Sequence, residues 1–191
     1  MENIKTNYSR RSFLKSSALA GGGLMISFSA FSKFGFADKM NGVDPPDQWF
    51  ELTGYIKITP DNIIKILNPN PEFGQNVMTS LPMIVAEELE ADWQKVVVEM
   101  GPHDNVKLGP QFAGGSNSMR MYWKPLREAG SAARHMLMDA AAQTWGVPVE
   151  EVTTKAGMLY HEKSGKSGTY GSFASKASGI PIPKTPKLKD V

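Results

Sequence analysis

The 191-residue sequence contains no cysteine. That absence excludes disulfides, thiolate zinc sites, cysteine nucleophiles and any iron–sulfur cluster held by this chain alone. Surplus charge is scarce as well: 21 Lys and Arg stand against 19 Asp and Glu, which gives no case for nucleic-acid binding. Even this small excess is local. Residues 1–37 hold Lys5, Arg10, Arg11, Lys15 and Lys33 against Glu2 alone, so the remainder carries 16 bases and 18 acids. Long, strongly apolar runs are also missing. Residues 16–36 form a weakly apolar stretch diluted by Gly21, Gly22, Gly23, five serines and Lys33. It falls short of the roughly 20 strongly apolar residues of a spanning helix, so no stable membrane span is expected. What is present, 41% hydrophobic and 21% charged residues, is the composition of a globular chain long enough to bury a core.

The N-terminal segment reads as an address. Ser9-Arg10-Arg11-Ser12-Phe13-Leu14-Lys15 precedes the weakly apolar stretch, and together they form the twin-arginine export pattern. The charged region with Arg10 and Arg11 stays on the cytoplasmic side while the modest apolar region inserts transiently. Cleavage is expected after Ala37, which makes residues 1–37 a signal peptide and the periplasm the expected location. Cargo of this route folds before export, often around a cofactor.

Residues 38–48, with Pro45-Pro46, read as an irregular lead-in. Apolar and polar residues then alternate over residues 49–59, with Phe50, Leu52, Gly54, Ile56 and Ile58 on one face, and again over 63–67. Pro60-Asp61-Asn62 between them predicts a β-hairpin, and Asn68-Pro69-Asn70-Pro71 ends it. Leu81, Ile84, Val85, Glu88 and Leu89 recur at helical spacing, with Thr79 as the expected N-cap. A short strand over residues 96–100 and a long loop over 101–115 follow. Leu126, Gly130, Ala133, Leu137 and Ala141 then predict a helix ending near Trp145. It begins either at Pro125 or in an earlier turn near Ser118. A second hairpin is expected across Ala156-Gly157, then a short helix over 173–177. The sum is an α+β fold, with hairpins and a mixed sheet packed by two main helices over residues 49–178. Residues 179–191, with Pro181, Pro183 and Pro186, read as a linker-like Pro/Lys tail without a packing element.

Most chemical candidates dissolve on inspection. Gly165-Lys166-Ser167 lacks the upstream glycine of a phosphate loop, because Tyr160 stands there, and reads as a hairpin tip. His103, His135 and His161 lack ligand spacing, so no direct metal ligand is nominated. Glu87, Glu88, Glu90 and Asp92 read as a solvated acidic helix end. Two segments are more informative: Phe73-Gly74-Gln75-Asn76-Val77-Met78-Thr79 and Ala113-Gly114-Gly115-Ser116-Asn117-Ser118. Each carries glycine just ahead of a helix, where backbone can approach a ligand and free amides favour anionic groups. Separated by one helix and one strand, they are placed to converge on a phosphate-rich cofactor.

These residues carry a resemblance. Gly74-Gln75-x-x-x-Thr79, Leu81-Pro82-Met83-Ile84-Val85-Ala86-Glu87-Glu88-Leu89 and Trp93-x-Lys95-Val96-x-Val98 are similar to the start of a molybdenum hydroxylase large subunit. The branch is the isoquinoline 1-oxidoreductase β-subunit type of the xanthine dehydrogenase/aldehyde oxidase superfamily. Gly114-Gly115-Ser116-Asn117-Ser118-Met119-Arg120, Leu126-Arg127-x-Ala129-Gly130, Trp145-Gly146-Val147-Pro148 and Leu188-Lys189-Asp190 extend the likeness. The resemblance implies part of a molybdopterin-binding domain. It places Gln75 beside molybdenum, donating to an oxo ligand, with Gly74 and Asn76 flanking it. It sets Gly114, Gly115, Ser116, Asn117 and Ser118 against the pterin dinucleotide. The implied cofactor is molybdopterin cytosine dinucleotide, and the implied reaction is hydroxylation of an aldehyde or N-heteroaromatic carbon with water as oxygen source. A separate small subunit holding a 2Fe–2S cluster carries the electrons away.

Two departures accompany the likeness. Asn76 stands where the family has glycine. The family's later cofactor segments and its glutamate general base have no counterpart, so no catalytic residue is nominated here. The isolated chain is therefore expected to be inactive, the shared cofactor requiring the missing C-terminal portion or a companion chain. The alternatives are a non-catalytic periplasmic binding or assembly module and a non-functional truncated fragment.

Overall fold

Residues 48–190 are described by the structure, a computed structural model. Arg10 and Arg11, the expected cleavage after Ala37 and the lead-in up to residue 47 lie outside the described residues.

The apolar alternation of residues 49–59 is divided between two strands, β1 (Phe50–Thr53) and β2 (Ile56–Ile58), where the pattern predicts one. Thr53 pairs with Ile56 across a turn at Gly54 and Tyr55. A register irregularity between Glu51 and Thr53 leaves Phe50 opposite Ile58, so the even-numbered residues of both strands share a face. The pattern therefore continues through the turn as though no turn were there. β3 (Ile64–Asn68) pairs antiparallel with β2, setting Ile58 opposite Ile64 and Ile56 opposite Ile66. Helix α1 (Val77–Leu89) then crosses over to β4 (Val96–Met100), which pairs parallel with β3. The sheet order is β1-β2-β3-β4.

One face of this sheet makes the core. Leu52, Ile56, Ile58, Ile64 and Ile66 cluster with Leu81, Val85 and Leu89 of α1 and with Leu126, Ala133, Leu137 and Ala141 of α2. Helix α2 spans Ser118–Trp145, about 42 Å of helix, with Pro125 inside it rather than at its start. Pro125, in the second turn, forgoes the bond to the Met121 carbonyl and its ring crowds that carbonyl, a cost this long, packed helix carries. The stripe carries Gly130 because α1 leaves no room for more: a Cβ there would lie 2.6 Å from the Val85 carbonyl oxygen.

A second sheet, β5 (Thr153–Lys155), β6 (Met158–His161) and β7 (Lys166–Thr169), is an antiparallel meander. Its last strand departs from the sequence expectation. The tip is a 3-10 turn, Glu162–Ser164, closed by Gly165 at φ 67°, while Lys166 and Ser167 already belong to β7. The short polar run Lys166-Ser167-Gly168-Thr169 lacks the apolar alternation by which a strand is recognised. Helix α3 (Tyr170–Ala177) follows directly, its first turn capped by the Thr169 hydroxyl accepting from Ser172 N–H at 3.1 Å. Buried Asn62 joins this unit to the first sheet, donating to the Gly157 carbonyl at 3.2 Å and accepting from Gly171 N–H at 2.8 Å. The buried Tyr170 hydroxyl donates to the Leu89 carbonyl at 2.7 Å.

Residues 181–190 have no regular structure, yet they do pack, contrary to the linker-like expectation. Ser131 Oγ donates to the Lys187 carbonyl at 2.6 Å, Arg127 donates to the Lys189 carbonyl, and Lys189 N–H donates to Glu88 at 3.1 Å. These contacts use tail backbone, which no side-chain pattern announces. They also correct the reading of the acidic run as solvated. Glu88 is 2% exposed and paired with Arg127 at 2.6 Å, and Glu90 pairs with Arg134. Both partners come from α2, some 40 residues away. Among the described residues, no helix is long and apolar enough to cross a membrane.

Candidate functional site

Asn68 and Met100 end β3 and β4 side by side, and Gly101 N–H donates to the Asn68 carbonyl at 2.8 Å. Both glycine-bearing segments leave from this edge. Residues 69–76 lead from β3 into α1, and residues 101–117 lead from β4 into α2. The carboxyl ends of parallel strands are where loops and helix N-termini gather around ligands in open sheets. Here the segments are joined directly. Asn70, fully buried, donates through Nδ2 to Ser118 Oγ at 2.6 Å.

The first turn is organised by Glu72, which sequence reasoning does not single out. Its Oε1 accepts from Gly74 N–H at 2.6 Å and Asn76 N–H at 3.1 Å, and its Oε2 from Met78 N–H at 3.0 Å. These donors, Met78 foremost, hold the Glu72 carboxyl below the usual carboxylate range against the opposing effect of burial. Helix α1 thus starts at Val77 with Asn76 as N-cap, ahead of the expected cap at Thr79. Thr79 lies inside the first turn, where its own N–H donates to the Asn76 carbonyl at 3.1 Å and Glu72 has taken the Met78 N–H. The first of the two expected anion-attracting turns is thereby occupied by the chain's own carboxylate. The available signal was an acidic residue just upstream of a helix start.

Gln75 is exposed and folds back on the same turn. Its Oε1 accepts from Phe73 N–H at 2.8 Å and its Nε2 donates to the Pro71 carbonyl at 2.7 Å. A carboxamide carries two N–H groups, so one remains uncommitted. Gly74 has φ 105°, and a Cβ there would meet nothing within 4 Å, leaving the turn open on that side. Asn76 adopts φ 63°, ψ 26°, the left-handed conformation natural to glycine and best tolerated otherwise by asparagine.

The second turn repeats this backbone chemistry without a carboxylate. Gly115 and Ser116 have φ 58° and 55°, and Asn117 N–H donates to the Gly114 carbonyl at 3.2 Å. Asn117 is the N-cap of α2, but its side chain caps nothing and accepts instead from Arg120. No acidic residue lies in the first turn of α2, so its positive end is not neutralised by the chain there. Ser118 is bound by Asn70, while Gly115 and Ser116 are exposed and Gly114 is half-buried.

Beneath the joined turns, Asn68 Oδ1 and Asn70 Oδ1 are buried without a hydrogen-bond donor. Asn68 donates through Nδ2 to the Asn70 carbonyl at 2.6 Å. An unpaired buried carbonyl oxygen costs about 1–3 kcal/mol, and such groups concentrate at sites that accept another molecule or water. Sequence patterning marks these asparagines only as strand-ending residues. Among the described residues, no group of three His, Asp or Glu is placed to hold a metal ion. His161, buried, lies 2.9 Å from Glu151 and 2.7 Å from Ser164.

Relatives share this sequence. The chain is 38% identical over 127 residues to the isoquinoline 1-oxidoreductase beta subunit of Brevundimonas diminuta, covering 63% of this chain and 16% of that protein. It is 32% identical over 172 residues to membrane-bound aldehyde dehydrogenase [pyrroloquinoline-quinone] of Gluconacetobacter polyoxogenes, covering 90% of this chain and 22% of that one. A nicotinate dehydrogenase subunit of Pseudomonas putida is 30% identical over 139 residues, 72% of this chain and 11% of its own. The chain therefore spans between about a tenth and a quarter of the length of these relatives. Among solved structures, quinoline 2-oxidoreductase from Pseudomonas putida 86 shares the fold at a TM-score of 0.52 and 17% identity, over 70% of this chain and 18% of that one. The molybdopterin cofactor-binding domain family matches residues 9–189, and this α+β chain belongs to it.

Proposed function

We propose that this chain is the N-terminal, cofactor-holding part of an exported molybdenum hydroxylase large subunit. The observation that carries the reading is the junction of the two glycine turns through Asn70 and Ser118 at the carboxyl edge of β3 and β4. The residues present fit a large polar cofactor. The Gly74 side is open, Gln75 has an uncommitted neutral donor, and the α2 N-terminus is not neutralised by an acid in its first turn. Glu72 directs anionic groups away from α1, so the dinucleotide phosphates belong against Gly114, Gly115, Ser116, Asn117 and Ser118. Gln75, flanked by Gly74 and Asn76, then serves the molybdenum end. Its neutral amide donates to an oxo group without adding charge.

When bound, molybdopterin cytosine dinucleotide supplies two-electron oxidation of a substrate carbon with water as oxygen source. The chain's own residues bind and orient that cofactor. The general base and remaining cofactor contacts come from the rest of the large subunit, and a 2Fe–2S small subunit accepts the electrons. On this reading the isolated chain is inactive. The exposed apolar residues Phe73, Met83, Phe112, Met119 and Trp123 suit a chain that packs against more protein. The substrate is an N-heteroaromatic compound or an aldehyde, as the names of the relatives suggest. Arg10 and Arg11 direct export to the periplasm, with residues 1–37 removed and residues 49–178 forming the cofactor-binding part.

Native mass and molybdenum content, measured on the polypeptide isolated from its own periplasm, test the proposal. A large assembly with about one molybdenum per copy is expected. A metal-free single chain overturns it and leaves the non-catalytic module or truncated fragment.

A further inference from the structure

We propose that Glu72 is a positioning residue for Gln75, and that the two side chains form a reciprocal clamp. The inference rests on Gln75 serving the molybdenum end of the cofactor. The Glu72 carboxylate binds backbone N–H groups of Gly74, Asn76 and Met78, on both sides of Gln75 in sequence. The Gln75 carboxamide binds backbone groups of Pro71 and Phe73, on both sides of Glu72. Each side chain therefore fixes the backbone that carries the other. Five bonds of 2.6 to 3.1 Å close the turn within residues 71–78, although most of these residues are exposed.

The chemical consequence lies in the carboxamide. Its oxygen has a backbone partner, which fixes which end is oxygen and which is nitrogen. One of its two N–H groups is spent on Pro71. What faces solvent as donor is a single N–H of determined orientation. Without Glu72, the amides of Gly74 and Asn76 lose their acceptor in a segment that holds φ values of 105° and 63°. The turn then samples other conformations, and the Gln75 donor loses its fixed direction. Glu72 itself touches no substrate; it acts through Gln75.

The test is nitrogen-15 NMR of the full chain, reading the two Gln75 side-chain amide protons and the backbone amides of Gly74, Asn76 and Met78. In the wild type, the Gln75 pair is expected away from the free-glutamine position, and to move together with those amides as acid protonates Glu72. Glu72→Ala is expected to return the pair to the free position and speed exchange of the three amides about tenfold or more. Amides of Ile56, Ile64 and Leu137 stay in place. Glu72→Gln keeps one acceptor oxygen but faces another amide with donors, so an intermediate displacement without the acid titration is expected. Should Glu72→Ala not fold, Glu72→Gln decides alone. Gln75 resonances unmoved in the folded variant overturn the clamp. Molybdenum content is measured separately. A metal-free wild-type assembly with Gln75 displaced by Glu72→Ala overturns the cofactor reading while leaving the clamp intact.

Discussion

Asn70 donates to Ser118 Oγ at 2.6 Å, and this bond between residues 48 positions apart ties the approach to α1 to the first residue of α2. Asn70 is fully buried, so the donor has no water to fall back on. Ser118→Ala leaves that N–H unpaired, at a cost of about 1–3 kcal/mol. The loss should be local in its dynamic effect. Hydrogen exchange is expected to quicken across residues 70–78 and 117–121 while the β2 and β3 amides stay protected. Uniform acceleration across the sheet would mean the bond supports global stability rather than the junction.

The pair Glu88 and Arg127 links α1, α2 and the C-terminal tail at one point. Their side chains are 2% and 12% exposed, 2.6 Å apart, and both also bind Lys189 backbone. Glu88→Ala leaves a guanidinium nearly buried and uncompensated, an expected loss of about 3–5 kcal/mol in urea denaturation. Glu88→Met with Arg127→Leu removes both charges and is expected to be much milder than the single change. Equal losses in the single and double variants would show that the tail contacts, not the ion pair, carry the stability.

How much of this was legible follows from what sequence patterns report. The strands around Ile56, Ile58, Ile64 and Ile66 and the stripe from Leu126 to Ala141 were legible because burial imposes periods of 2 and 3.6. Strand β7 was not, since Lys166 to Thr169 pairs through backbone with little burial. Glu88 looked solvated because its partner arrives from a helix 39 residues on, which one-dimensional spacing does not encode. The two glycine turns stood out as a pair, since glycine ahead of a helix lets backbone approach a ligand, although such turns are common singly. Glu72 and Asn70 did not stand out. A carboxylate near a helix start and an asparagine between prolines are ordinary until the geometry shows what each binds.

Stability should respond to pH on two limbs. Glu51, Glu72 and Glu151 are all held below their ordinary value of 4.5. For Glu51 the hydrogen bond to Lys107 is the main cause, for Glu72 the Met78 N–H, and for Glu151 the hydrogen bond to His161. A folded-state value below the unfolded one contributes stability above the unfolded value, lost as pH falls through the folded one. Lys189 is shifted the other way, raised above 10.5 chiefly by its hydrogen bond to Glu87. Its contribution is complete below 10.5 and lost as pH rises through the raised value. Glu51 is exposed and Glu72, Glu151 and Lys189 are half-buried, so the contributions of these four should be shallow and flatten in high salt. Urea midpoints from about pH 3 to about pH 11, at low and high salt, check this. A Lys189→Met variant should weaken the alkaline limb without abolishing it, because burial also raises the Tyr55, Tyr122 and Tyr170 phenols above 10.0 and their contribution too is lost as pH rises.

Asn76 is the departure from the resembled family that the structure makes intelligible. At φ 63° and ψ 26° it occupies backbone space in which most L residues are strained, and its side chain makes no capping bond. The conformation, rather than the absence of a side chain, is therefore what the position demands. Asn76→Gly should change stability by less than about 1 kcal/mol, because glycine enters this region freely at some entropic cost. Asn76→Val should lose at least about 1–2 kcal/mol, since a β-branched residue resists it most. If Gln75 serves the cofactor, Asn76→Gly should also leave molybdenum content unchanged, as the clamp by Glu72 needs only the Asn76 backbone N–H. Thermal unfolding and metal analysis of the two variants separate these effects. A glycine variant that folds normally but gains or loses metal would show that the asparagine side chain itself meets the cofactor.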